Sequence, residues 1–441
     1  MPRLLCCLAL ACLAAAARAD FDSDKRTNWH HWRGPDATGF AATADPPTTW
    51  GPDTNLRWKA PLVGRGSASP VVWGDRVFVL TAVKTDRKAT PAERPALDPR
   101  FQTKTEPPEH FYRFLVRAYA RADGKLLWER LAAEKVPHEG HHVTHSYAAG
   151  SPTTDGERLY ASFGSFGTYC YDLDGKLLWS RDFGRLNTRL GWGEAVTPVV
   201  HGDNLILNYD QEADGKLYCL DAKTGSTRWE VKRDEKTTWS TPLVTTAAGR
   251  TLVVANGTSR VRAYDLAGGA EVWSGSAMTT NPIPSPVRFG DAAVAMAGYG
   301  KTVALSIPLA SRGDLGDAPR GNWRLAAGAP YVPSPLLMNG KLYFTQANDP
   351  LLSVVDAATG KVLLDRERVP GVRQFYGSPV GAAGRVYLTD RGGTTVVLKE
   401  GEAMEVLATN KLDDPIDASP ALVGRELFLR GEKFLYCVAE R

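Results

Sequence analysis

The stretch Ser69-Pro70-Val71-Val72-Trp73-Gly74-Asp75-Arg76-Val77-Phe78-Val79 decides the fold. Val71 and Val72 are β-formers, Gly74-Asp75 supplies a tight turn, and Val77-Phe78-Val79 begins a return strand. The phrase returns at Ser151-Pro152, Thr197-Pro198, Thr241-Pro242, Ser285-Pro286, Ser334-Pro335, Ser378-Pro379 and Ser419-Pro420. Successive prolines lie 82, 46, 44, 44, 49, 44 and 41 residues apart. A period of roughly 40–45 residues built of short strands is that of a propeller blade. The sequence therefore predicts an all-β, eight-bladed β-propeller of four-stranded blades over residues 55–441.

Within each repeat the third strand carries an apolar-aromatic run that often ends in Asp, as in Tyr169 to Asp172 and Tyr218 to Asp221. A Gly-containing turn follows, then a fourth strand ending in Trp, as in Gly124-Lys125-Leu126-Leu127-Trp128 and Gly175-Lys176-Leu177-Leu178-Trp179. Trp229, Trp273 and Trp323 recur in the same place, which reads as packing between blades. The eighth repeat ends after its third strand, while Leu56-Arg57-Trp58-Lys59 stands before the first repeat with a fourth-strand pattern. The N-terminal strand is expected to complete the last blade and close the ring, which removes the open edges. The long first interval holds a charged, proline-rich insertion over 84–110, read as a loop between strands two and three.

Residues 1–19 read as a signal peptide: Arg3, an apolar Leu4 to Ala17 too short to span a bilayer, and Ala17-Arg18-Ala19 for cleavage. Lipidation at Cys12 is the lesser reading, since Ala9 stands where a lipobox wants Leu. The protein is expected to be exported, to the periplasm or the outside, without a transmembrane segment, and monomeric. Net charge is +4, and losing Arg3 and Arg18 with the leader leaves +2; with no long basic run, nucleic acid is not an expected partner. Residues 20–54 form a Trp/Pro/Gly-rich lead-in expected to pack on the outside of the body. Cys170, Cys219 and Cys437 sit in one frame of the repeat and are expected as buried free thiols.

The repeats and the Asp…Gly-Lys-Leu-Leu-Trp phrase resemble the PQQ-binding-like, quinoprotein-type eight-bladed propellers. The opening Trp29-x-x-Trp32-Arg33-Gly34-Pro35 is similar to the exported bacterial, BamB-like members. The resemblance implies PQQ as a candidate cofactor. Quinoprotein dehydrogenases carry adjacent cysteines over the cofactor and a calcium site of Glu, Asn and Asp type; the mature chain has no adjacent cysteines, so the cysteine pattern does not support PQQ.

The loops leading into the first strands should share one face around the channel mouth. They carry His142 and His145, Arg189 and Glu194, Trp239, Asn281, Tyr331, Arg373 and Tyr376, and Asp417. Aromatic, Arg and carboxylate groups around a concave mouth suit a carbohydrate or a protein segment, and equally suit ties between blades. His138, His141, His142 and His145 are close enough to suggest a zinc or copper site, although a hydrogen-bonding loop explains them more simply. The chain has no G-x-S-x-G or phosphate loop. The expected function is a ligand- or protein-binding scaffold. The alternative is a divergent quinone-dependent dehydrogenase or a carbohydrate-active enzyme using the mouth residues.

Overall fold

The computed structural model describes residues 21–276, 278–317 and 321–440. The leader, with Cys6, Cys7 and Cys12, lies outside the described residues. Eight antiparallel sheets follow the eight repeats. Blade one is Val71–Trp73, Arg76–Lys88, His110–Ala120 and Leu126–Lys135. Blade eight is Ala421–Val423, Glu426–Arg430 and Phe434–Ala439, completed by Leu56–Pro61. Lys59 stands opposite Tyr436 and Ala60 opposite Leu435, so the chain's first long strand closes the ring. Blade four gains a fifth strand, because Gly313–Asp314 from the next repeat pairs in parallel with Glu271–Ser276. Among the described residues no helix is long and apolar enough to cross a membrane.

The insertion is shorter than its composition suggests. Lys84 to Lys88 continue the second strand and His110 opens the third, with Lys84 opposite Tyr112 and Lys88 opposite His110. The loop proper spans 89–109. It folds over the loop leading into blade three: the Lys104 N–H donates to the Leu190 carbonyl at 2.9 Å, and the Thr105 hydroxyl donates to the Gly191 carbonyl.

At the axis each first strand is the inner edge of its sheet, where backbone groups lack a partner strand. Proline is tolerated on such an edge because it has no N–H to leave unpaired. The Ser or Thr before it solves the remaining problem. The Ser69 N–H donates to the Ser151 hydroxyl at 2.9 Å, and Ser151 to Thr197 at 3.0 Å. Thr241 donates to Ser285 at 3.0 Å, Ser285 to Ser334 and Ser334 to Ser378 at 2.9 Å. Ser378 donates to Ser419 at 2.9 Å, and Ser419 returns to Ser69 at 3.0 Å. Seven of the eight steps around the ring are thus the same bond.

At the rim, the fourth-strand tryptophans lock each blade to the next. Nε1–H of Trp58 reaches the Arg121 carbonyl at 2.9 Å, Trp128 that of Leu173 at 2.9 Å, Trp179 that of Ala222 at 3.0 Å, and Trp229 that of Leu266 at 2.8 Å. Each indole also lies on the turn glycine of the neighbour. A Cβ on Gly124, Gly175, Gly225 or Gly269 would stand under 3 Å from Trp58, Trp128, Trp179 or Trp229 in turn, and all four glycines have φ between 71° and 83°. The sequence requires Gly there for both reasons. Trp273 breaks the series: among the described residues its Nε1 has no partner, because the fifth repeat replaces the Gly turn with the excursion that carries Gly313–Asp314. Cys170, Cys219 and Cys437 are free and buried in third strands.

The lead-in does not lie on the outside. It crosses the channel directly beneath the serine ring, on the side away from the leading loops. Trp29 pairs with Val72 of blade one, the Thr154 N–H of blade two donates to the His30 carbonyl, Leu337 of blade six donates to Thr38, and Gly381 of blade seven to Gly39. Arg33 fills the channel at 1 % exposure. Its guanidinium donates to the carbonyls of Pro379 at 3.0 Å, Pro335 at 2.7 Å and Thr38 at 3.3 Å. The tryptophans do bury apolar surface, but toward the axis, because the first strands of blades one, two, six and seven offer carbonyls and amides there that a threaded chain can satisfy.

The rim lock can be isolated with two glycines of like backbone. Gly225 (φ +71°) faces Trp179, whereas Gly249 (φ +74°) has nothing within 4 Å of an added Cβ. Gly249→Ala should cost only the left-handed backbone, about 1 kcal/mol. Gly225→Ala must also displace the indole and should cost at least about twice that, as a difference in urea-unfolding free energy. Equal losses would mean that the tryptophan contact does not hold the blades.

Candidate functional site

Above the serine ring the leading loops enclose a central funnel of about 440 Å³. Its floor is Trp32 of the lead-in and the ring residues Ser69, Ser151, Thr197, Thr241, Ser378 and Ser419. Its walls are aromatic: His142, Trp192, Trp239, Tyr299, Tyr331 and Tyr376. Each ring is held from behind. Trp239 Nε1–H donates to the Gly193 carbonyl at 2.8 Å. Tyr299 and Tyr331 pack with ring centroids 5.0 Å apart, and His142 stands edge-on to Trp192 at 6.0 Å. The Tyr376 hydroxyl meets the Thr144 hydroxyl at 3.2 Å, joining the loops of blades seven and two. Arg391 lies 4.1 Å over the Tyr376 ring and grips Asp417 with two bonds of 2.6 and 3.0 Å. The walls are therefore flat apolar faces fixed in place, a pre-organised surface for a ring-shaped or extended guest.

Of the residues expected at the mouth, His142, His145, Trp239, Tyr331, Tyr376 and Asp417 line the funnel. Arg189 and Asn281 stand behind the wall beside Tyr331, and Asn281 is fully buried at φ +59°. Arg373 is exposed, and among the described residues it joins the network through its backbone N–H, which donates to Asp390 at 3.3 Å. Glu194 faces away from the funnel into a small enclosed cavity. It accepts the Ser165 N–H and hydroxyl, both at 2.6 Å. Asp414 and Asp210 are ties: the first accepts Lys433, Phe434 and Tyr436, the second forms a buried pair with Arg233 at 2.7 Å. Sequence reasoning missed Trp32 and Tyr299, and read the Ser/Thr of each repeat only as a marker.

The four clustered histidines make loop contacts. His138 bonds the Leu186 carbonyl at 2.8 Å, His141 the His142 carbonyl at 2.8 Å, and His142 the Thr144 hydroxyl at 2.8 Å. Among the described residues no three His, Cys, Asp or Glu side chains converge as metal ligands. The calcium site implied by the quinoprotein resemblance needs converging carboxylate and amide oxygens. The funnel lining offers one carboxylate, Asp417, already held by Arg391. These residues do not fit that metal centre.

Residues 113–363, more than half of the sequence, match the family described as outer membrane protein assembly factor BamB. The chain belongs to this family. BamB from Moraxella catarrhalis superposes with a TM-score of 0.51 at 14% identity, over 81% of this chain and 97% of that one. Quinohemoprotein alcohol dehydrogenase from Comamonas testosteroni superposes with a TM-score of 0.61 at 11% identity, over 98% and 84%. A europium-containing methanol dehydrogenase gives 0.58 at 12% identity, over 92% and 89%. At these identities the likeness is one of fold. No curated protein matches the sequence.

Behind the Trp192 wall, two carboxyls share the small cavity with His138 and Tyr147. Glu139 accepts the Thr188 N–H at 3.1 Å and its hydroxyl at 2.7 Å. Burial pushes Glu139 up to about 7 against those bonds, and the charge of Glu212 adds to the rise. Burial pushes Glu194 up to about 8, helped by the charge of Glu139. Between the ordinary 4.5 and these values the folded chain holds more protons than the unfolded one, so stability falls as pH rises. His31 and His145, pressed by burial to about 3, act in the opposite sense, but only below their ordinary 6.5. Stability should therefore fall from pH 6.5 to 8. The slope is up to about 1.4 kcal/mol per pH unit for each carboxyl still protonated. Urea unfolding across that range should show the slope, and Glu194→Gln should flatten it. A stability that rises through the range contradicts the assignment.

Proposed function

We propose that the protein is an exported binding propeller that captures its ligand or a partner segment in the central funnel. The observation that supports this most is the funnel itself: an aromatic-walled cavity whose far end is plugged by the protein's own lead-in around Arg33. A blind, rigid pocket suits retention of a guest rather than passage through the channel. Membership of a family described by outer membrane protein assembly supports a protein-binding role. The leader-like residues 1–19 support export, with the mature chain acting outside the cytoplasm. The dehydrogenase reading draws on fold likeness alone, and the funnel's donor set gives it no metal centre.

The proposal puts binding energy on Trp192 and Trp239. Removing such anchors costs on the order of 2 kcal/mol in affinity, roughly thirtyfold. A glycan and peptide array probed with the wild type and with the Trp192→Ala/Trp239→Ala double variant should show hits that weaken by that factor while the thermal transition is kept. Hits that survive the double substitution place binding on the blade edges instead. A parallel titration with PQQ and calcium should give no alcohol or sugar oxidation; turnover would favour the dehydrogenase.

A further inference from the structure

The funnel floor carries two features that blade packing does not require. The first is a crown of hydroxyl protons. Ser69, Ser151, Thr197, Ser378 and Ser419 each accept an N–H through their oxygen. Among the described residues none of these hydroxyls has an acceptor for its own proton. Trp32 Nε1, on the same floor, is buried and equally without an acceptor.

The second feature is positive charge without counter-charge. Arg33 lies under the floor, with its guanidinium 5.5 Å from the Trp32 ring centre. Arg430 lies behind Ser69, donating to the Ala68 carbonyl at 3.0 Å. Arg189 stands behind the wall, close enough to Tyr331 for its charge to act on that ring. Among the described residues all three bond only to carbonyls or to nothing, and each keeps a buried Nε–H with no acceptor. Burial without a carboxylate lowers Arg33 to about 9 and Arg430 to about 10, so both stay charged at neutral pH. The acidic groups nearby do not fully cancel them. Asp417 is taken up by Arg391, and burial keeps Glu194 largely protonated and Glu139 only partly ionised near neutrality. A cleft with low-dielectric walls focuses the remaining positive potential on its guest.

We infer that the ligand of the funnel is a carboxylate-bearing ring, a sugar acid, with its ring against the aromatic walls and its carboxylate toward the hydroxyl-lined floor. A carboxylate is acceptor-only, which matches a floor whose hydroxyl protons and Trp32 Nε1–H have no acceptor among the described residues. Bonds in which one partner is charged are about twice as strong as neutral ones, so the charge decides selectivity among rings of equal size. The inference rests on the funnel being the binding site.

Quenching of tryptophan fluorescence in the full mature chain, with Trp32, Trp192 and Trp239 at the funnel, measures it. The probes are glucuronate, glucose, benzoate and benzyl alcohol at low ionic strength. Glucuronate should bind at least about tenfold more tightly than glucose, and more tightly than benzoate. Arg189→Gln should cut glucuronate affinity about fivefold and leave glucose unchanged, while Arg189→Lys should retain the preference. If Arg189→Gln does not fold, the wild-type preference and the Lys variant decide. Equal binding of glucose and glucuronate would overturn the charge inference while the funnel reading stands. Binding of benzoate without glucuronate would overturn the sugar and leave an aromatic acid. Silence from all four probes would overturn both this inference and the reading of the funnel as a site for ring-shaped ligands.

Discussion

The hydrogen bond from one blade's backbone N–H to the next blade's Ser or Thr hydroxyl is the constraint on which the molecule rests. Eight sheets converging on an axis bring eight inner edges together, each with a donor that no strand can accept. A hydroxyl one residue before proline meets that donor from the neighbouring blade at 2.9–3.0 Å in seven of eight places. Each such bond contributes only about 1 kcal/mol net, but leaving a buried donor unmade costs about 1–3 kcal/mol. The ring therefore specifies the spacing of first strands more than it adds stability. Once that spacing is set, the loops leading into those strands must crowd one end of the axis, and a funnel exists before any residue is chosen for function.

Radius separates structure from function in this protein. At the rim, Trp58, Trp128, Trp179 and Trp229 combine an indole on a neighbour's glycine with an N–H to a neighbour's carbonyl. Adjacent blades are held there without help from the mouth. At the far end Arg33 and its flanking residues stitch blades six and seven to the lead-in. The loops above the ring carry Trp192, Trp239, Tyr331 and Tyr376, in keeping with the proposed division between scaffold and binding loop. The insertion of blade one joins that layer by bonding Leu190 and Gly191, which steadies the loop bearing Trp192.

What the sequence disclosed follows from how local each requirement is. Ser-Pro, turn Gly and fourth-strand Trp each answer a need felt within one repeat, so the blade period, the ring closure through Leu56–Pro61 and the third-strand cysteines were legible. The lead-in was misplaced because its partners are distant: Arg33 meets Pro335 and Pro379, 302 and 346 positions away, and nothing local distinguishes a plug from a strap. Glu194 was rightly assigned to a leading loop but not to the funnel, since the donors of Ser165 turn it behind the wall. Tyr299 was hidden between two glycines that read as a simple turn. The insertion's strand ends were hidden because Lys84 to Lys88 are polar and mostly exposed, with no apolar alternation to mark them.

Hydrogen exchange at the first-strand amides tests the account most directly. Ser69, Ser151, Thr241, Ser285, Ser334, Ser378 and Ser419 should exchange only with global unfolding, at one common free energy, although several of them border a cavity. Thr197, whose amide makes no such bond among the described residues, should exchange faster than its seven counterparts. If the seven amides exchange by independent local opening, at rates no slower than Thr197, the hydroxyl ring does not hold the blades to the axis and the account fails at its centre.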